Sequence, residues 1–145
     1  RKMGTRKKRT IAQEVDMAAK LLQRYVRLKA SDDNGYCECV TCGKVDHYTA
    51  MQGGHFYSRR HIVFKLFEEN IHVQCPACNQ WGMKTTKIQE AYRIYMEDMY
   101  GARRIRAMQK LAWRASPKFN RDEVIQFQRE IKEKIGQELY RIGDM

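Results

Sequence analysis

Residues 53–84 hold the side chains with the most chemistry to offer. They include three of the chain's four histidines, the paired arginines Arg59 and Arg60, two cysteines, and the asparagines Asn70 and Asn79. Hydrolysing a phosphodiester needs a base for water, a cation for the pentacovalent phosphate and departing oxygen, and donors that hold the phosphate. His55 suits the base, because a neutral imidazole titrates in the right range. Gly53 and Gly54 precede it, and their missing side chains would let a phosphate come close. Asn79 suits a hard cation such as Mg²⁺ or Mn²⁺, which accepts amide oxygen and keeps its waters. Arg59 and Arg60 can clamp phosphate, with Lys84 as a further contact. Asn70 can brace the loop that carries His55, since its amide both donates and accepts. His72 alternates with Ile71 and Val73, so it can face the same site. Each residue alone has a plainer use: a surface histidine, an N-cap at Asn79, solvated arginines. Their joint spacing points to metal-assisted phosphodiester hydrolysis.

That spacing is framed by cysteines. Four of the five form two C-x2-C pairs, Cys39/Cys42 and Cys75/Cys78. The chain shows no secretory leader, so disulfides are a poor use for them. Two such knuckles read as a closed four-thiolate structural zinc site. Gly43 directly after Cys42 suits the tight turn of a knuckle. Cys37 could replace Cys39 as a ligand, but the spacing favours Cys39, leaving Cys37 an ordinary half-buried thiol.

Bulk composition narrows the partner. Formal net charge is +11, from 28 Lys+Arg against 17 Asp+Glu, which calls for a polyanion, DNA or RNA first. No apolar run approaches a membrane span. The basic N-terminus lacks the apolar stretch of a signal peptide. A length of 145 residues fits one compact domain with its own core.

The elements that must position the chemistry follow from periodicity. Residues 1–9 carry six basic residues, including Lys7, Lys8 and Arg9, and read as a flexible phosphate-tracking arm. A capping box at Thr10 and Gln13 opens a helix over 10–30, with Ile11, Val15, Ala18, Leu22 and Val26 on its apolar face. Residues 36–40 and 44–51 read as short strands. Gly53-Gly54 then breaks the chain before His55. Residues 58–69 form a loop with helical tendency, 70–74 a strand, and a helix starts near Asn79. Helices continue through 100, from about 103 to Ser116-Pro117, and from an Asn120/Glu123 capping box to the end. Their methionine and aromatic stripes read as packing surface. The last stripe, Val124, Phe127, Ile131, Ile135, Leu139 and Ile142, fits its own domain or a dimer face. The expected fold class is therefore α+β and helix-rich, with residues 10–145 as a single domain: an N-terminal helix, a zinc-stapled core over 36–100, and C-terminal helices over 101–145.

Gly54-His55-Phe56, Glu69-Asn70-Ile71-His72-Val73-Gln74-Cys75 and Cys78-Asn79, followed by Tyr92 on a helix and by Tyr100-Gly101, resemble the lambda NinG (Rap) family of phage recombination proteins. More broadly, the order of knuckle, histidine, asparagine and knuckle looks like the HNH, or ββα-metal, nucleases with an accessory zinc. The resemblance covers roughly residues 35 to 140. It implies an HNH-like core and a structure-specific DNA endonuclease acting on Holliday junctions and D-loops in the cytoplasm of a phage's bacterial host. By the same resemblance His55 is the general base, Asn70 the loop brace, Asn79 the ligand of Mg²⁺ or Mn²⁺, and Cys39, Cys42, Cys75 and Cys78 the zinc ligands. Many HNH enzymes carry an acidic ligand immediately before the histidine, where this chain has Gly54. Asp46, His47 or His72 is then the candidate second ligand. The rival from another class is a non-catalytic zinc-ribbon nucleic-acid-binding protein.

Overall fold

The computed structural model describes residues 4, 7–58, 60–112 and 118–144. Arg59, Ser116-Pro117 and most of the basic arm therefore lie outside the described residues. Helix α1 runs Ile11–Lys29. The Thr10 hydroxyl accepts from the Gln13 amide and the Gln13 side chain accepts from the Thr10 amide, so both halves of the capping box form. Strand β1 (Tyr36–Glu38) pairs antiparallel with β2 (Val45–His47), in register Tyr36↔His47 and Glu38↔Val45. The Cys39–Cys42 turn lies between them. Gly43 follows at φ +79, a left-handed conformation that glycine adopts without a Cβ penalty, and its amide donates to the Cys39 carbonyl.

A second antiparallel hairpin joins β3 (Gln52–His55) to β4 (Ile71–Gln74), with Gly53 opposite Val73, Gly54 opposite His72, and His55 opposite Ile71. The two glycines lie inside β3 instead of breaking the chain, and both are buried. The reason is crowding. A Cβ on Gly53 would sit 2.9 Å from the Gln23 side chain of α1, and one on Gly54 would sit 1.8 Å from Gln74 Oε1. The space a Cβ would need is filled by protein at both positions, while the backbone of Gly53 still lines a cleft shared with His55.

Between β3 and β4 the chain makes two 3₁₀ turns, Ile62–Leu66 and Glu68–Asn70. Helix α2 (Pro76–Gln80) follows β4 at once, with Cys75 as its N-cap and Pro76 at its first turn. The expected start near Asn79 is thus too late: Asn79 is near this helix's end, and capping is not its role. Helix α3 (Thr86–Tyr100) is capped by Thr85 and ends at Gly101, whose φ is +82. Helices α4 (Ala102–Ala112) and α5 (Arg121–Arg141) complete the order. Asn120 accepts from the amides of Asp122 and Glu123 at the start of α5. No helix among the described residues is long and apolar enough to cross a membrane.

Three apolar clusters hold these elements. Leu22, Val26 and Leu28 of α1 pack with Ile71 and Val73 of β4, the knuckle cysteines, and Ile131 and Ile135 of α5. Phe64, Tyr92, Met96, Ile105 and Met108 form a second cluster beneath the β3–β4 connection. Val15, Ala18 and Val124 form a third. Each fully buried large side chain contributes roughly 1.5–3 kcal/mol. The α5 stripe is thereby occupied by its own chain: Val124, Ile131 and Ile135 are buried against α1 and the knuckles. A polar clasp lies across the same interface. The Gln128 amide donates to the Glu14 carbonyl and carboxylate, both at 2.8 Å.

Candidate functional site

The cysteine knuckles meet as the spacing predicts. One sulfur each from Cys39, Cys42, Cys75 and Cys78 lies within 4.8 Å of every other, a set that could hold a zinc ion. Cys37 stands outside this cluster, buried, with its thiol pushed up by burial. Inside the cluster the thiols oppose one another. Burial works to raise Cys39, yet the Thr41 hydroxyl and surrounding amides hold it down to about 6. Burial and the neighbouring sulfurs of Cys75 and Cys42 push Cys78 up to about 12. Four thiols this close would be held as thiolates by a divalent cation, which neutralises their mutual repulsion.

Both knuckles grip the β3–β4 hairpin. The Val40 amide donates to the Val73 carbonyl at 2.9 Å, and Cys75 directly follows β4. Gln74 provides a second tie. It is fully buried, its amide nitrogen donates to Thr41 Oγ1 at 3.1 Å, and the Thr41 hydroxyl contacts Cys39 Sγ at 3.3 Å. Gln74 Oε1 has no hydrogen-bond partner and lies in the space above Gly54.

The hairpin and α2 bring His55 and Asn79 to one cleft of about 620 Å³, with Gln23, Arg27, Gln52, Ser58 and Gln80 in its walls. Asn79 Nδ2 donates to Gln52 Oε1 at 2.8 Å, so its amide oxygen is the atom outside that contact. Asn70 is fully buried and faces the loop after His55. Its Oδ1 accepts from the Tyr57 amide at 2.8 Å and its Nδ2 donates to the Tyr57 carbonyl at 2.9 Å. Its own carbonyl accepts from the Phe56 amide. Asn70 therefore clamps the backbone one and two residues beyond His55 and does not line the cleft.

Arg60 is exposed and lines an adjoining pocket with His55, Asp16 and Lys65. Lys84 is exposed after α2. Lys7 and Lys8 are exposed, whereas Arg9 pairs with Glu14 at 3.7 Å and gives its carbonyl to Arg121. The three candidate second ligands lie elsewhere. Asp46 Oδ1 accepts from the His47 amide on β2, and His47 Nδ1 contacts the Thr49 hydroxyl. His72 faces another cleft of about 600 Å³, lined by Lys29, Tyr95, Met99 and Tyr100. Its cross-strand partner Gly54 has no side chain, and Tyr92 and Tyr100 of α3 take its ring nitrogens.

That histidine belongs to a hydrogen-bonded chain running to the strand of the site. Tyr100 Oη lies 2.7 Å from His72 Nε2, His72 Nδ1 lies 3.3 Å from Tyr92 Oη, and Tyr92 donates to the Gly54 carbonyl at 2.7 Å. With Tyr92 donating onward, the self-consistent order is Tyr100 to His72 to Tyr92 to Gly54. Burial, with Lys29 nearby, lowers His72 to about 4, which keeps its ring neutral. The aromatic stripe of α3 thus packs, and it also anchors the carbonyl just before His55. Two acids are brought near His55 without any sequence signal: Asp16 in the pocket with Arg60, and Glu90 in another with Arg93, to which it is paired. They arrive from α1 and α3, far from His55 in sequence.

A family model described as bacteriophage lambda NinG protein matches residues 1–140. The match spans nearly the whole chain, and this protein belongs to that family. No curated protein and no solved structure matches it.

Proposed function

We propose that this protein is a divalent-metal-dependent endodeoxyribonuclease that cuts branched recombination intermediates such as Holliday junctions and D-loops. The observation that carries the proposal is the shared cleft: an antiparallel hairpin supplies His55, the helix directly after it supplies Asn79, and both line the same 620 Å³ opening. Family membership, the four-thiol cluster and the net charge of +11 support it. In this HNH-like reading, the zinc-bound knuckles hold the base of α2 in register with β3.

His55 takes a proton from water, whose oxygen then attacks phosphorus in line with the departing oxygen. Asn70 holds the loop beyond His55, and the Tyr92 bond to Gly54 holds the strand before it. Arg60, Lys84, Lys7 and Lys8, with Arg59, hold phosphates. Contacts of that kind fix position on the duplex and read shape over sequence. Among the described residues the walls of the cleft contain no carboxylate, so a hard cation would be held by the Asn79 amide oxygen together with the substrate phosphate. Mg²⁺ or Mn²⁺ so bound would supply positive charge to the departing oxygen. Its affinity without DNA is accordingly weak. The site of action is the host cytoplasm, and symmetric cutting of a four-way junction calls for two subunits.

The test is cleavage of a four-way junction and a linear duplex in Mg²⁺ by wild type and His55→Ala. Junction cleavage that drops by about 10²–10⁴ in the variant is expected. Binding without cleavage by wild type favours the non-catalytic zinc-ribbon alternative. Equal cleavage by the variant removes His55 from the chemistry.

A further inference from the structure

We infer that the outward face of α4 is a second phosphate-binding surface, on which Arg103, Arg106 and Lys110 hold the backbone of a duplex arm. The inference rests on the nucleic-acid reading above and adds a surface outside the His55 cleft.

The positive charge of this chain is unevenly placed. Helix α3 carries two basic and three acidic residues, and α5 carries five of each. Helix α4 carries four basic residues in eleven and no acid. One of the four has a structural partner: Arg104 donates to both Glu69 oxygens at 2.8 Å and lies over the Phe67 ring. Arg103, Arg106 and Lys110 are exposed, and no ion pair or hydrogen bond joins them to any described residue. They follow at spacings of three and four, so they share one helix face. That face lies opposite Ile105 and Met108, which are buried against Phe64 and Tyr92.

A merely solvated face would gain from mixing signs, as α5 does. Like charges at these spacings oppose helix formation by roughly 0.2–0.5 kcal/mol a pair. A polyanion reverses that sign. The three cations span roughly 10 Å along the axis, the reach of about three phosphates on one strand. The row is also rigidly placed. Tyr57 Oη donates to the Ile105 carbonyl at 3.4 Å, and Arg104 ties α4 to Glu69, next to Asn70. Helix α4 is thereby fixed to the same 56–70 connection that follows His55, so an arm held here keeps a set angle to one held at the cleft. Duplex phosphate, a regular row of negative charges along each strand, fits a row of three cations with no acid among them better than the irregular acids of a protein surface.

The experiment measures anisotropy of a labelled four-way junction and a linear duplex across a salt series. It uses the full chain, its Arg103→Gln/Arg106→Gln/Lys110→Gln variant, and Arg129→Gln/Lys132→Gln/Lys134→Gln on α5 as the matched-charge control. Circular dichroism verifies folding of each. The α4 variant is expected to lower the slope of log K against log salt by about 2–3 and junction affinity at least tenfold, with the α5 variant close to wild type. Wild-type binding with equal slopes in the α4 and α5 variants overturns the α4 surface and leaves the nuclease proposal standing. No nucleic-acid binding by wild type overturns both.

Discussion

The β3–β4 hairpin treats its two histidines in opposite ways. His72 is enclosed: Tyr100 and Tyr92 engage its two nitrogens, burial keeps it neutral, and only a small edge reaches solvent. His55, one residue beyond the glycine opposite His72, stays half-buried at the mouth of a cleft with Asn79. The difference is made by what packs on each side. Helix α3 lays Tyr92, Tyr95 and Tyr100 over the His72 side, while the His55 cleft is walled by amides, a serine, Arg27 and two methionines, Met51 and Met83. The enclosed histidine serves position, whereas His55 lines a cleft with Asn79 and carries the proposed role of base. A histidine's type and its place on a strand do not separate these roles; the neighbouring helix does.

The contrast depends first on the knuckles that fix both strands. Cys75→Ser should have the largest effect, taking tightly bound zinc from about one per chain to near none and lowering the thermal midpoint sharply, read by native mass spectrometry and calorimetry. Full metal content with unchanged melting would remove the staple from the account. The next test titrates the enclosed side. His72 sits at about 4 in the folded chain against an ordinary 6.5, so the unfolded chain binds the proton first. Its contribution is complete above about pH 6.5 and falls as the pH drops toward 4, by about 3 kcal/mol. Urea midpoints at pH 7 and pH 4 should show that loss in wild type and a smaller one in His72→Gln; parallel losses would mean that the ring is not held neutral. On the open side, Asn70→Ala strips both hydrogen bonds from the Tyr57 backbone. It should cost about 2 kcal/mol of stability and lower cleavage, while Asn70→Asp, which keeps the acceptor alone, should recover part of each. Smallest is Tyr92→Phe, which deletes one buried hydroxyl and should cost about 1 kcal/mol, with the effect on cleavage exceeding that on junction binding.

Periodic and short-range features were legible before the fold was known. The α1 capping box, the two knuckles and the stripes of α3 and α5 depend on neighbours within a few residues. What could not be read depends on elements that meet only in three dimensions. Gly53 and Gly54 look like an open loop until Gln23 and Gln74 are seen filling the space above them. His72 looks like a ligand until α3 folds over it. Asn79 looks like a helix start because Cys75 and Pro76 act together as cap and first turn only once β4 has ended. Asp16 and Glu90 reach the neighbourhood of His55 from helices that no local pattern links to it. Placement of the α5 stripe against α1, over a dimer partner, was likewise a matter of packing and not of period.

The unpartnered Gln74 oxygen above Gly54 has an evolutionary consequence. Installing the acidic residue that many HNH enzymes carry before their histidine, Gly54→Asp, drives a side chain into Gln74 and should yield a misfolded protein. Shortening the neighbour alone, Gln74→Ala, opens a small void and loses the bond to Thr41. Made together, the two changes relieve each other, so a path from this site to the acidic type passes through a destabilised single variant whichever position changes first, with the shallower one at position 74. Positions 54 and 74 should therefore behave as one inherited unit, and a double-mutant cycle on stability should return a coupling well above 1 kcal/mol.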